Sequence, residues 1–329
     1  MENSEKKSHL EISRVNWLNC ARIAVSVLLV GYLVIKLDLH SFLNICMNAR
    51  FDMLAITLVC MLAERYYAAY RWYILLLISE KKMVFSIILR ITFISNFYGM
   101  FLPGGGVELL RIVGLGRATS DFAEATASVL VDRFFGLLTL IIMVLIGVSL
   151  NSEGINTTIQ IWVWIGFVLM LFSIYMFSSN NFRRIIYYII EKKLFERLKK
   201  PVYQLFSRLD SIKDKRKTIM LSFVLSIGIQ ILRIATIVFA AWTLHIKLAL
   251  IYFIIYVPII IFIQLLPIAV GGIGVRESAY VFFFGSVGVN PEAAFSLSVL
   301  YYFGTVLTSL PGLWFGLRLK STKLVEKTS

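Results

Sequence analysis

Apolar stretches of about twenty residues recur along almost the whole chain, and this leaves very few folds open to it. A hydrocarbon core about 30 Å thick is crossed by roughly twenty apolar helical residues, and within it every backbone N–H and C=O must find a partner in the protein. Helices that cross repeatedly meet both demands. Hydrophobic residues make up 59% of the 329 and charged residues 16%, a balance far from that of soluble domains. Hydropathy windows place segments near 16–36, 53–79, 83–102, 126–150, 159–178, 218–243, 249–266, 278–289 and 293–317. What lies between them is too small for a soluble domain, so the chain reads as one integral membrane domain over 1–329. No small-residue cleavage site follows the first apolar stretch, which is therefore expected to stay as an anchor.

Two segments break this pattern in the same way. Around Pro103 the chain runs through Gly104, Gly105 and Gly106 to Glu108 and Arg111. Around Pro267 it runs through Gly271, Gly272 and Gly274 to Arg276 and Glu277. Charged side chains and interrupted backbone survive at membrane depth only against protein or a wet cavity, so these breaks are the first candidates for a working site.

Charge fixes the direction of the spans. The segment 180–217 holds twelve Lys and Arg against four Asp and Glu, which makes it a cytoplasmic basic loop by the positive-inside rule. Its alternation of basic and apolar pairs suits either an amphipathic helix on an anionic leaflet or a solvated linker. Both termini carry basic residues and belong inside, whereas 151–158 has no Lys or Arg and belongs outside. With these ends fixed, 83–125 must enter and leave from the cytoplasm, and 249–289 must do so from the other face. The expected fold is an all-α polytopic membrane protein with about six full spans and two re-entrant helical hairpins. Glu124 to Gly136 also resembles Glu292 to Gly304 at a constant offset of 168, and the Leu-Pro pairs match at 164. Opposite entry with internal similarity describes an inverted-topology repeat, with repeat one near 53–150 and repeat two near 218–317.

Further charges fall inside the spans: Glu64, Arg65, Arg71, Arg90, Asp132, Arg133 and Arg233. Glu64 and Arg71, seven apart, share one helical stripe, as do Gln230 and Arg233. Arg71, Asp132 and Arg133 could equally snorkel from helix ends, whereas Arg90 and Arg233 lie deeper. Arginine exceeds carboxylate, which suits an anionic headgroup. Glycine-rich backbone at the start of a half-helix attracts anions as well. Glu108 and Glu277 either pair with Arg111 and Arg276 to keep an empty cavity neutral, or bind an amine or a proton. Both Arg/Glu pairs could also simply brace the hairpins.

Arg71-Trp72, the segment from Leu102 to Arg111, Asp132-Arg133 and above all Pro267 through Gly271-Gly272-Ile273-Gly274-Val275-Arg276-Glu277 resemble the lysylphosphatidylglycerol synthase transmembrane-region family. The first motif departs from the family pattern, with Val107-Glu108 where Gly-Asp is common. The resemblance implies a bacterial inner-membrane lipid transporter, with both termini cytoplasmic. It would move an anionic or aminoacylated phospholipid, or a polyprenyl-phosphate-linked glycan, between leaflets. The soluble aminoacyltransferase domain of the fused proteins is missing from this sequence, so enzyme activity is not expected. A membrane glycosyltransferase, or an accessory subunit in envelope-lipid synthesis, is the alternative. Expected partners are the lipid itself and anionic headgroups, with a lipid-modifying synthase or glycosyltransferase and a second copy of the chain left open; nucleic acid is not expected. The scattered cysteines and histidines point to no metal or cofactor, and no phosphate-binding G-x-x-x-x-G-K-[ST] loop for ATP occurs.

Overall fold

The computed structural model describes residues 45, 47–77, 83–102, 105–150, 157–191, 196–213, 215–265 and 272–325. The expected first span at 16–36, together with Pro103, Gly104, Pro267 and Gly271, lies outside the described residues. Every regular element among those described is a helix. They are α1 (Phe51–Leu76), α2 (Phe85–Gly99), α3 (Gly106–Thr119), α4 (Phe122–Leu150), α5 (Thr157–Ser178), α6 (Asn180–Ile190), α7 (Glu196–Lys213), α8 (Arg216–Thr243), α9 (Leu250–Leu265), α10 (Val275–Gly285) and α11 (Pro291–Val325). Three of them, α4, α8 and α11 as far as Arg318, are long and apolar enough to cross a membrane. Helix α1 is as long, but it carries Glu64, Arg65 and Arg71 along its length.

Local sequence sets the ends of these helices. Gly105, at φ 85°, holds the left-handed conformation that starts α3, and Gly99 and Val107 then approach so closely that a Cβ on Gly99 would lie 2.7 Å from the Val107 Cα. Ser120, at φ 56°, ends α3, and the Asp121 carboxylate accepts from the Glu124 amide at 3.2 Å to open α4. Asn290 plays the same part ahead of α11, accepting from the Glu292 amide at 2.9 Å, with Pro291 at the first helical position. The stretches that match at an offset of 168 thus both form the opening turns of a long helix that follows two short ones.

The short helices fall well below bilayer thickness. At 1.5 Å per residue, the 15 residues of α2 and the 14 of α3 span about 22 and 21 Å. The 16 of α9 and 11 of α10 span about 24 and 16 Å. The expected segment at 278–289 begins earlier, at Val275, because Gly274 at φ 85° turns straight into the helix.

Helices α1 and α8 form a central antiparallel pair. The Arg50 amide donates to the Thr243 carbonyl at one end, Glu64 meets Arg233 midway, and Arg71 reaches Ser226 at the other end. Helix α2 packs on α3 and on α11, and α9 packs on α10 and on α4; α3 lies on α4, and α10 on α11. The largest apolar core joins α4, α8, α9, α10 and the start of α11, and a second surrounds Trp72 between α1, α2, α3 and α4. Helix α5 instead exposes Ile161, Trp164, Val168, Leu169, Phe172 and Tyr175, as a helix bathed in lipid would.

Most of the described residues of the basic segment 180–217 are helical. They form α6 and α7, joined by the stacked rings of Tyr187 and Tyr203 at 4.6 Å. Helix α7 packs on α4, where Lys200 and Gln204 reach Asp121 at 3.6 and 3.4 Å.

A candidate anion-handling site between the broken helices

Most of the charges inside the apolar helices meet each other. Asp132 on α4 is buried and bridges two arginines from different helices. Arg71 on α1 donates from Nε to Oδ1 at 2.9 Å, and Arg111 on α3 donates from Nη1 to Oδ2 at 2.9 Å. Arg71 spends its other nitrogens as well, with Nη1 on Ser226 Oγ at 2.9 Å and Nη2 on the Asp132 carbonyl at 3.2 Å. The Arg111 guanidinium lies over the Trp72 ring at 4.0 Å, and the indole N–H donates to Ser128 at 3.3 Å. Arg71 and Asp132 therefore do not snorkel: they are 7% and 2% exposed.

One turn away the arrangement departs from the simplest reading of the sequence. Glu108 and Arg111 are three apart on α3, the spacing of a helical ion pair. Glu108 instead forms its ion pair with Arg133 of α4, at a partly exposed position. Elsewhere on α1, Glu64 accepts from Arg233 of α8, from Nε at 2.8 Å and from Nη2 at 2.5 Å, a pairing the sequence did not indicate. Gln230 accepts from Arg233 at 3.3 Å and donates to the Gly136 carbonyl at 3.2 Å. Arg65 turns to α11, donating to Thr308 Oγ1 and the Thr305 carbonyl, each at 3.0 Å.

At the second break the motif arginine and glutamate pair with each other. Glu277, in the first turn of α10, accepts from the Gly274 amide at 2.6 Å and from Arg276 through Nε at 3.0 Å and through Nη2. Arg276 also donates to Ser298 of α11 at 3.1 Å and lies over the Tyr302 ring at 4.4 Å. Gly272 and Gly274, at φ 72° and 85°, bend the backbone that delivers both side chains. Arg90 stands apart: it is exposed on α2, with its guanidinium 5.8 Å from the Phe315 ring centroid. Depth along a helix says nothing about which face a residue occupies, and here that face looks outward.

The described residues thus gather Arg65, Arg71, Arg111, Arg133, Arg233 and Arg276 against Glu64, Glu108, Asp132 and Glu277. Six arginines to four carboxylates is a net +2 in largely apolar surroundings, where unneutralised charge is expensive and an anion is welcome. The partners that sequence reasoning missed are Ser128, Ser226, Ser298, Tyr302, Thr305 and Thr308. Their only signal is a hydroxyl set in an apolar helix, a common device for joining helices in membranes. Among the described residues no three His, Cys, Asp or Glu side chains gather as a metal site.

A family model described as the lysylphosphatidylglycerol synthase TM region matches residues 19–312. The chain belongs to that family. The match takes in both broken segments, the Asp132 bridge and all but the last part of α11, so membership covers the whole charged layer. As a member of the lysylphosphatidylglycerol synthase transmembrane-region family, the chain is a multi-pass membrane protein with a lipid-related role. No curated protein matches it.

Proposed function

We propose that this chain is a lipid transporter that moves an anionic or aminoacylated phospholipid, or a polyprenyl-phosphate-linked glycan, between leaflets. The observation that carries the reading is the surplus of arginine over carboxylate among the charges set between the apolar helices. The headgroup enters a polar layer whose fixed positive charge replaces its hydration, while the acyl chains stay in the bilayer. Arg111 and Arg276 attract it, and Glu108 and Glu277 set how much positive charge is left free. The chain performs no covalent chemistry on the lipid in this scheme. A gradient of lipid, ion or proton, or consumption of the lipid downstream, supplies the drive.

The packing pattern supports an inverted repeat. Helices α1 to α4 and α8 to α11 follow the same order of long, short, short, long. Exchanging the two sets turns each contact into another that is present: α2 on α11 becomes α9 on α4, α3 on α4 becomes α10 on α11, and α1 on α8 maps onto itself. Short helices below bilayer thickness favour hairpins that dip in and return, from the cytoplasm for α2–α3 and from the opposite face for α9–α10. Basic α6 and α7 lie on the cytoplasmic side, both termini are inside, and the host membrane is the bacterial inner membrane. The test is a leaflet-resolved headgroup assay in proteoliposomes. Wild-type protein accelerates movement of the labelled lipid and Arg276→Ala does not; equal movement in both removes the claim.

A further inference from the structure

The two motif arginines present the same edge of the guanidinium in opposite states. In arginine, Nε–H and the adjacent Nη2–H point the same way and form a fork that grips two oxygens of a carboxylate or phosphate at once. In the second motif an internal carboxylate already occupies that fork, since Nε and Nη2 of Arg276 both donate to one oxygen, Glu277 Oε1. In the first motif Arg111 is 7% exposed, and it binds Asp132 through Nη1 alone. Among the described residues its Nε and Nη2 have no hydrogen-bond partner. The neighbouring carboxylate, Glu108, forms its ion pair with Arg133, and its buried Oε1 has no hydrogen bond to Arg111.

Three further features make this edge a receptor and not a packing fault. Arg71, the other arginine on Asp132, satisfies all three of its nitrogens, so the open valence belongs to Arg111 alone. The Arg71–Asp132–Arg111 group carries a net +1, and its surroundings are the apolar cluster of Leu76, Ile88, Ile91, Leu115 and Val129. Ser95 on α2 has a buried hydroxyl with no partner among the described residues. The contacts of Gly99 with Val107 and of Gly114 with Ile91 put Ser95 opposite residues 110 and 111 in the hairpin. Buried donors without acceptors are costly, more so when charged, and an anionic oxygen pair would complete the arrangement.

We infer that the free Nε–Nη2 edge of Arg111, backed by Trp72 and the Asp132 bridge, is a bidentate binding site for one phosphate group. The inference rests on the headgroup-transport reading and deepens it: the first hairpin holds the open receptor, and the second holds the same fork closed by Glu277. A lipid phosphodiester and free phosphate share the chemistry. Binding neutralises the net +1 of the bridge, and releasing the ligand requires another oxygen pair to take its place.

Calorimetric titration of the purified full chain in detergent, with inorganic phosphate in one arm and phosphatidylglycerol micelles in the other, tests the site. Arg111→Lys keeps the charge but loses the fork, and its Kd is expected to rise about tenfold or more. Arg50→Lys, an exposed arginine held by Asp52 away from this bridge, is expected to bind the probe like wild type. Binding of phosphatidylglycerol without phosphate assigns the site to lipid, and the converse assigns it to a soluble anion. No saturable binding of either, or unchanged affinity in Arg111→Lys, overturns the inference. Should Arg111→Lys fail to fold, wild-type crystals soaked in tungstate decide it: density on Arg111 Nε and Nη2 is expected, and density elsewhere only overturns it. If Arg276→Ala abolishes transport while Arg111→Lys binds normally, headgroup transport stands and this site falls. Phosphate binding at Arg111 in a chain that moves no headgroup is the reverse case.

Discussion

Replacing Asp132 by asparagine keeps its shape and removes the one charge that holds Arg71 and Arg111 side by side. The carboxylate accepts from both at 2.9 Å, so the change takes the bridge from net +1 to +2 and sets an amide N–H₂ against a guanidinium. Removing one partner of a buried ion pair costs about 3–5 kcal/mol, and here two cations lose the same partner, so the upper part of that range is expected. Arg71→Met is the informative contrast. It discards three hydrogen bonds, at about 1 kcal/mol each, but leaves Arg111 and Asp132 as a neutral pair. Asp132→Asn should therefore destabilise the protein more than Arg71→Met, although it alters fewer atoms. Equilibrium unfolding in mixed micelles, followed by tryptophan fluorescence, reads both. A loss below about 1 kcal/mol for Asp132→Asn, or the opposite order, would refute the reasoning that charge balance and not bond count governs this bridge.

Four other outcomes are expected. Glu64→Gln strands Arg233 and should cost roughly 2–4 kcal/mol in the same unfolding assay, with Glu64→Gln/Arg233→Gln recovering much of it as a double-mutant coupling. A Cβ on Gly312 would fall on the Phe93 carbonyl, so Gly312→Ala should part α11 from α2 and cost about 1–3 kcal/mol. No atom lies within 4 Å of a Cβ added at Gly105, so Gly105→Ala reports backbone strain alone, about 1–2 kcal/mol, and Gly105→Asn less. Lys200→Cys and Lys247→Cys, both exposed, should react with an impermeant maleimide from opposite sides of sealed vesicles; labelling from one side would reject the assigned orientation.

Helices were legible in the sequence because twenty apolar residues in a row have few alternatives, and α4, α8 and α11 lie close to where hydropathy put them. Glu124 to Gly136 and Glu292 to Gly304, which match at an offset of 168, both form the opening turns of a long helix. Partner choice was not legible. Local spacing favours Glu108 with Arg111, yet Arg133, from another helix, takes the glutamate, and Asp132, 21 residues away, takes the arginine. The i, i+7 stripe of Glu64 and Arg71 did indicate a common face, because periodicity encodes direction within one helix. It carries nothing about the facing helix, which is why Ser226 and Ser298 went unseen. Arg90 failed for the same reason in reverse: hydropathy gives depth, and only packing gives the face. The charge of 180–217 announced a surface segment, but its hold on α4 depends on single contacts at Asp121 that no composition reveals.

Headgroup selectivity tests the central claim most directly. In proteoliposomes of the purified chain, leaflet exchange of labelled phosphatidylglycerol is compared with that of labelled phosphatidylcholine, each against protein-free vesicles. A surplus of buried arginine should accelerate the anionic lipid well above the zwitterionic one, and Arg276→Ala should abolish the difference. Equal acceleration of both lipids, undisturbed by that substitution, would contradict an arginine-lined path for the headgroup.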